Sequence, residues 1–211
     1  MSEEREPKRT AKPYHHGDLR NALIEAGREL LIEEGVAGLD LRKVARRAGV
    51  SHAAPYRHFA DKQALVATLA EDGFLHVAER MRAELAAAPR DVRAQLVGLA
   101  RAYIGFALDQ PAHMREMFSG LTIERAAYPS LYRASKETLA IMLDVLQSGQ
   151  TSGAIRPGDP IQHAIVVWSS IHGLAMLVIE DQIPEARGNP AVVNQMIEQT
   201  IQTLYSGLAQ T

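Results

Sequence analysis

Nowhere in this chain do apolar and polar residues alternate convincingly with the period of two that a half-buried strand requires. Apolar residues recur every three or four positions instead. Leu19, Leu23, Ala26 and Leu30 share one helical face. Ile161, Ile165, Trp168, Ile171 and Ala175 form a second stripe, and Val193, Ile197, Ile201, Leu204 and Leu208 a third. Pro111, Pro129, Pro160 and Pro190 stand near the starts of such segments, where a missing N–H costs little. Gly35, Gly38, Ser152–Gly153 and Pro157–Gly158–Asp159 mark breaks. The spacing predicts helices from His16 or Asp18 to about Gly35, then over 41–48, 51–59, 62–87, 90–109, 111–119, 129–152, 160–183 and 190–208. The fold class expected is therefore all-α. Abundant alanine and leucine favour it, and an aromatic content of 5% makes the core aliphatic.

The composition narrows the setting. The chain has no cysteine, which removes disulfides, thiolate metal sites and a cysteine nucleophile and fits a reducing cytosol. Its N-terminus, MSEEREPKRTAKPYHHGD, has no apolar signal core, and no segment reaches about 18 uninterrupted apolar residues. A cytoplasmic protein with no membrane span is expected. The net charge of -2 does not by itself point to nucleic acid. Its distribution is more suggestive: residues 1–62 hold 12 Lys+Arg against 10 Asp+Glu, and the remainder 11 against 15.

Within the more basic part, residues 41–59 have the grammar of a helix-turn-helix. Asp40 is placed to cap a short helix, Leu41–Ala48, with Leu41, Val44 and Ala45 inward. Gly49 can take the left-handed conformation that turns the chain sharply, and Val50 can plug the gap between the helices. Ser51 is placed to cap a second short helix whose N-terminus would face DNA. His52, Ala53 and Ala54 come early on it, where small side chains allow close approach to base edges. Tyr56, Arg57 and His58 follow, as donors to phosphates. Lys62, at the start of a helix capped by Asp61, adds a cation beside free N–H groups that favour an anion. Arg42 completes the candidate DNA contacts. Lys8, Arg9 and Lys12 belong either to a solvated tail, residues 1–14, or to a basic arm reaching a minor groove.

The segment LRKVARRAGVSHAAPYRHFADKQAL closely resembles the signature of the tetracycline-repressor (TetR/AcrR) family, with matches at Val44, Ala45, Ala48, Gly49, Val50, Ser51, Tyr56, His58, Phe59, Lys62 and Leu65. The resemblance implies about nine helices: a three-helix DNA-binding head, here 15–62, and a ligand-binding and dimerising body, here 63–211. It implies phosphate contacts at Ser51, Tyr56, His58 and Lys62, and base contacts at His52, Ala53 and Ala54. Pro55 departs from the pattern, which has a branched apolar residue there. As a fourth helical residue it would forfeit the first helical hydrogen bond and crowd the Ser51 carbonyl, distorting an otherwise intact recognition helix.

In the body, VVWSSIHGLAMLVIEDQ carries Trp168, His172 and Gly173, similar to the Trp-His-Gly pattern of one C-terminal domain type in the family. The expected partners are operator DNA, a second copy joined through helices 160–183 and 190–208, and a small, mostly apolar effector. The other role for those two helices is to cover the monomer core. Effector-binding candidates are Tyr103, Phe106, Met114, Met117, Phe118, Met142, Trp168, His172 and Met176, each of which also suits an ordinary core. No cationic cluster marks an anionic effector. A different form of control, by a protein partner without any effector, is the alternative.

No catalytic residue, cofactor or metal site is expected. HExxH, a phosphate-binding loop and GxSxG are all missing from the chain. His113 and Glu116 stand in the reverse order of the Glu-x-x-His pair that a carboxylate-bridged metal bundle uses, and no second pair accompanies them.

Overall fold

The computed structural model describes residues 16–119 and 127–209. The 1–14 tail, with Lys8, Arg9 and Lys12, and His15 lie outside the described residues. Eight α-helices are present among them: α1 (His16–Gly38), α2 (Leu41–Arg47), α3 (Lys62–Ala87), α4 (Val92–Asp109), α5 (Pro111–Ser119), α6 (Pro129–Thr151), α7 (Pro160–Ile179) and α8 (Pro190–Leu208). No strand forms among the described residues; one isolated antiparallel bridge joins Ile155 to Ala209. The all-α expectation holds, with eight helices where about nine were expected.

Local chemistry sets the boundaries. Gly35, at φ 66° and ψ -177°, breaks α1 with a backbone that side chains other than hydrogen rarely tolerate. Asp40 accepts from the Arg42 and Lys43 amides at 2.7 and 3.3 Å, and Asp61 from Ala64 at 2.8 Å. Both carboxylates thus take up orphan donors at helix starts, as their positions predicted. Pro129, Pro160 and Pro190 lie in the first turns of α6, α7 and α8.

The missing helix is the recognition helix. Residues 52–54 form a turn, and only Pro55–Arg57 are helical, as a single 3₁₀ turn. Pro55 has no N–H to bond the Ser51 carbonyl. Ala54 bonds that carbonyl instead, at 2.9 Å, and the tighter i→i+3 pattern continues from Arg57 to Ala54 and from His58 to Pro55. The expected α-helix over 51–59 and its Ser51 cap are therefore both corrected: Ser51 precedes a turn, and its side chain makes no capping bond among the described residues.

Two hydrophobic clusters result. The smaller joins Leu23, Leu30 and Leu31 of α1 to Val44, Phe59, Leu65 and Leu69. The larger is built from α3, α4, α6, α7 and α8 around Leu96, Tyr103, Phe106, Met142, Leu146 and Val167. Helix α3 contributes to both, Leu65 and Leu69 to the first and Phe74, Val77 and Met81 to the second. Helix α5 bridges them as well, with Ala112 against the smaller cluster and Met114 inside the larger.

The C-terminal stripes are divided differently from the sequence expectation. Val193, Ile197, Ile201 and Leu208 of α8 are buried in the monomer, so this stripe covers the protein's own core. On α7, Ile171 and Ala175 point inward, whereas Ile161, Ile165, Val166 and Leu177 are about half exposed. Helix α7 alone among the described helices is long and apolar enough to cross a membrane. Gln162, His163, Ser169, Ser170 and His172 interrupt it, and its inner face packs on α4, α6 and α8.

Candidate nucleic-acid interface and effector cavity

The surface of the smaller cluster sorts its cations by partner. On α2, Lys43 pairs with Glu34, and Arg47 with Glu29 at 3.0 Å and Glu33 at 2.5 Å. These residues, four apart on one face, clamp α2 to α1. The Arg47 guanidinium holds the Glu33 carboxyl below its ordinary range through a hydrogen bond. Arg42 and Arg46, also four apart, take part in no ion pair among the described residues and are exposed. Their charge is available to a phosphate backbone. Arg46 was not among the sequence candidates; the i, i+4 spacing from Arg42 is the signal that identifies it.

Gly49 turns the chain at φ 69°, and the Val50 amide bonds the Ala45 carbonyl at 2.9 Å, with Val50 against the smaller cluster. Beyond it, Pro55 and Phe59 are buried, four residues apart. They anchor the segment and leave Ser51, His52, Ala53, Tyr56 and Arg57 exposed, with Ala54 and His58 half-buried. Pro55 thus does the packing work of the apolar residue it replaces. Tyr56 is 53% exposed and has no side-chain hydrogen bond or ring contact among the described residues. Lys62 lies at the first turn of α3, its Nζ 3.4 Å from the Ala37 carbonyl. Of the candidates from 51 to 62, Ser51, His52, Ala53, Tyr56 and Arg57 are thus exposed, and Lys62 is held toward the end of α1.

In the larger cluster a cavity of about 290 Å³ opens between α3, α4, α5, α6 and α7. Of the nine sequence candidates, Tyr103, Phe118, Met142 and Trp168 line it. His172 stands behind them: its Nδ1 and the Tyr103 hydroxyl share a hydrogen bond of 2.9 Å, and its ring centroid lies 4.5 Å from that of Phe118. Burial pushes the Tyr103 hydroxyl pKa up and the His172 pKa down, so both are neutral at pH 7. Phe118 also meets Phe74 edge-on at 5.4 Å and Trp168 at 5.9 Å. Phe106, Met114, Met117 and Met176 stand outside the lining. Phe106 packs on His113 beneath Arg80, Met114 is fully buried, Met117 closes on Gly73, and Met176 packs against the larger cluster.

The remaining lining comes from Phe74 and Met81 of α3 and from Tyr132, Ser135, Lys136, Thr138 and Leu139 of α6. Sequence reasoning missed these. Their signal is a stripe of mixed polarity, Tyr132, Ser135, Lys136, Leu139 and Met142, at three- and four-residue steps.

His113 and Glu116 are both buried on α5. His113 Nε2 donates to the Leu69 carbonyl of α3 at 2.5 Å, and Nδ1 lies 3.1 Å from the Gln110 amide. Among the described residues no three potential ligands gather around a metal position.

Comparison with known proteins agrees with this geometry. Residues 23–69 match the family model described as bacterial regulatory proteins, tetR family, and residues 96–204 match the tetracyclin repressor-like C-terminal domain. The HTH-type transcriptional regulator Rv1816 of Mycobacterium tuberculosis is 26% identical over 141 residues, which are 66% of this chain and 60% of that protein. The chain thus spans less than two thirds of the length of this relative. The class A tetracycline repressor from transposon 1721 of Escherichia coli is 42% identical over 83 residues, 39% of this chain and 37% of the repressor. Among solved structures, a protein with unknown function from Rhodococcus sp. RHA1 is 36% identical, with a TM-score of 0.83 over 95% of this chain and all of that one. The transcriptional regulator FadR from Bacillus subtilis, solved in complex with stearoyl-CoA, shares the fold at 19% identity, with a TM-score of 0.73 over 90% of this chain and 99% of that one. The exposed turn after α2 lies within the first matched region and the cavity-bearing helical body largely within the second, and the chain belongs to the tetracycline-repressor family of bacterial regulatory proteins.

Proposed function

We propose that this regulator is a cytoplasmic repressor that holds operator DNA as a homodimer and releases it when a small, mostly apolar effector occupies the cavity. Residues 15–62 serve as the DNA-binding head and 63–211 as the sensing body. The observation that carries the effector part is the placement of α5. Its Phe118 lines the cavity, its Ala112 packs against the head cluster, and its His113 is bonded to α3 between them. A ligand that displaces Phe118 therefore pushes on the one short helix that touches both ends of the path. Release follows if the ligand binds the DNA-incompetent arrangement more tightly than the competent one. A body with a cavity also suits this role better than control by a protein partner alone.

On the DNA, Arg42, Ser51, Tyr56, Arg57, His58 and Lys62 contact phosphates, and His52, Ala53 and Ala54 face base edges. Arg46 joins the phosphate set. Two heads must meet successive major-groove faces about 34–36 Å apart, which requires two copies. The half-exposed apolar face of α7, with Ile161, Ile165, Val166 and Leu177, supplies the contact. Gly173 lies on α7 with nothing within 4 Å of the position a Cβ would take, leaving room for a second helix to approach.

Fluorescence anisotropy of the full chain on duplexes covering the promoter of its own gene and its neighbours tests the proposal. Salt-sensitive, sequence-selective binding that a small apolar ligand reverses is expected. Binding indifferent to sequence would overturn it.

A further inference from the structure

The cavity is apolar along its depth but, among the described residues, has one charged group in its wall, and the polar groups around that charge are already committed. Ser135 donates its hydroxyl proton to the Tyr132 carbonyl at 2.9 Å. Thr138 donates to the carbonyls of Ala134 at 3.0 Å and Phe74 at 3.2 Å. Tyr103 is bonded to His172. Lys136 is different. Its ammonium lies 4.7 Å from the centroid of the Tyr132 ring and takes part in no ion pair among the described residues. The nearest acid along α6, Glu137, faces Arg82 at 3.8 Å. Tyr132 and Lys136 are four residues apart and exposed, so they share one face of α6 at the solvent end of the cavity.

Resting on the proposal that this cavity is the effector site, we infer that its ligand is an anionic amphiphile: a compact apolar body, best aromatic, carrying one carboxylate or similar anion that pairs with Lys136. The inner wall supplies aromatic faces and edges from Phe74, Tyr103, Phe118 and Trp168, which suit ring stacking. The size follows from the volume. A cavity of roughly 150 Å³ holds benzene. One of about 290 Å³ therefore holds a ligand of roughly ten to fifteen non-hydrogen atoms on the same scale. The anion stays at the mouth, partly hydrated, so its burial costs little, and the ammonium meets it without giving up a carboxylate partner among the described residues. A single lysine also explains why no cluster of cations marks the site in the sequence.

Trp168 is the only tryptophan in the chain and lines the cavity, so its fluorescence reads occupancy directly. The test titrates the full chain with 4-phenylbutyrate and with its uncharged isostere 4-phenylbutanamide, at pH 7.5. The acid is expected to bind about three- to tenfold more tightly than the amide, the range of a partly exposed ion pair reinforced by a charged hydrogen bond. Lys136→Met should bring the two affinities together without weakening the amide, and Lys136→Arg should keep the preference. Raising the salt concentration should weaken only the acid. Equal binding of acid and amide by the unmodified chain, or a preference that survives Lys136→Met, overturns the anionic assignment and leaves the cavity as an effector site. Failure of both ligands to perturb Trp168 overturns the effector site itself, and the assignment with it.

Discussion

His113 of α5 donates from Nε2 to the Leu69 carbonyl of α3 at 2.5 Å, across the boundary between the two hydrophobic clusters. The ring is buried, and burial pushes its pKa below the ordinary value of 6.5, more than the carbonyl raises it. Folding therefore favours the neutral form. Between the folded and unfolded pKa values the unfolded chain binds the extra proton, so stability rises with pH there. The full contribution is present above about pH 6.5 and is lost as the pH falls below it. Thermal unfolding should show a lower midpoint at pH 5 than at pH 7.5, and His113→Gln should shrink that difference. An unchanged pH difference in the variant would show that His113 does not carry it. His172, also depressed by burial, adds an effect of the same sign.

Gly73 allows α5 to lie this close. A Cβ there would sit 2.5 Å from Met117 Sδ and 2.9 Å from His113 Nε2. The thioether can swing away, but the imidazole is held by its bond to Leu69. Gly73→Ala should destabilise the protein by about 1–3 kcal/mol, the usual cost of overpacking, despite alanine's better helix propensity. A chemical denaturation midpoint at or above that of the parent would contradict the close approach.

Much of this was legible before any coordinates. The caps at Asp40 and Asp61, the left-handed Gly49 and the helix starts at proline follow from local chemistry, which a sequence displays directly. The 3₁₀ turn at 55–57 was legible only in part. A proline one turn into a helix announces distortion, but whether the turn tightens or only bends depends on how Pro55 and Phe59 seat in the cluster. The orientation of α8 was not legible. Its apolar stripe fits a monomer core and a dimer seam equally well, because both bury it. The cavity was read by residue type, which found the aromatic wall of Tyr103, Phe118 and Trp168 but not Lys136 or Ser135. The mixed-polarity stripe of α6 marks a helix face between core and solvent, but a cavity mouth and an ordinary helix boundary produce the same stripe.

The sorting of cations on α2 has a direct readout on DNA. Arg42→Ala and Arg46→Ala should each weaken binding across operator variants and reduce the salt slope by about one. Lys43→Ala should instead loosen the α1–α2 clamp by no more than about 1 kcal/mol, as an exposed pair does. Tyr56→Phe together with Lys62→Ala should also flatten the slope, whereas exchanging His52 should alter which sequences bind. Salt slopes identical to that of the parent would remove Arg42 and Arg46 from the interface.

The two C-terminal helices should respond oppositely to charge. Ile201 is fully buried in the monomer, so Ile201→Lys should cost more than about 3 kcal/mol and unfold the chain. Val166→Glu, on the outer face of α7, should leave the fold intact and dissociate the dimer. Sedimentation velocity combined with circular dichroism separates the outcomes. A folded monomer from Ile201→Lys, or an undisturbed dimer from Val166→Glu, would place the interface elsewhere.

Selection of duplexes from a random library by the full chain tests the central claim most directly. A two-fold symmetric consensus should emerge, with half-sites spaced by whole helical turns, and the enrichment should vanish for Tyr56→Ala with Arg57→Ala while the fold persists. Failure to enrich any sequence, or an enrichment that survives those substitutions, would contradict operator recognition through the turn after α2.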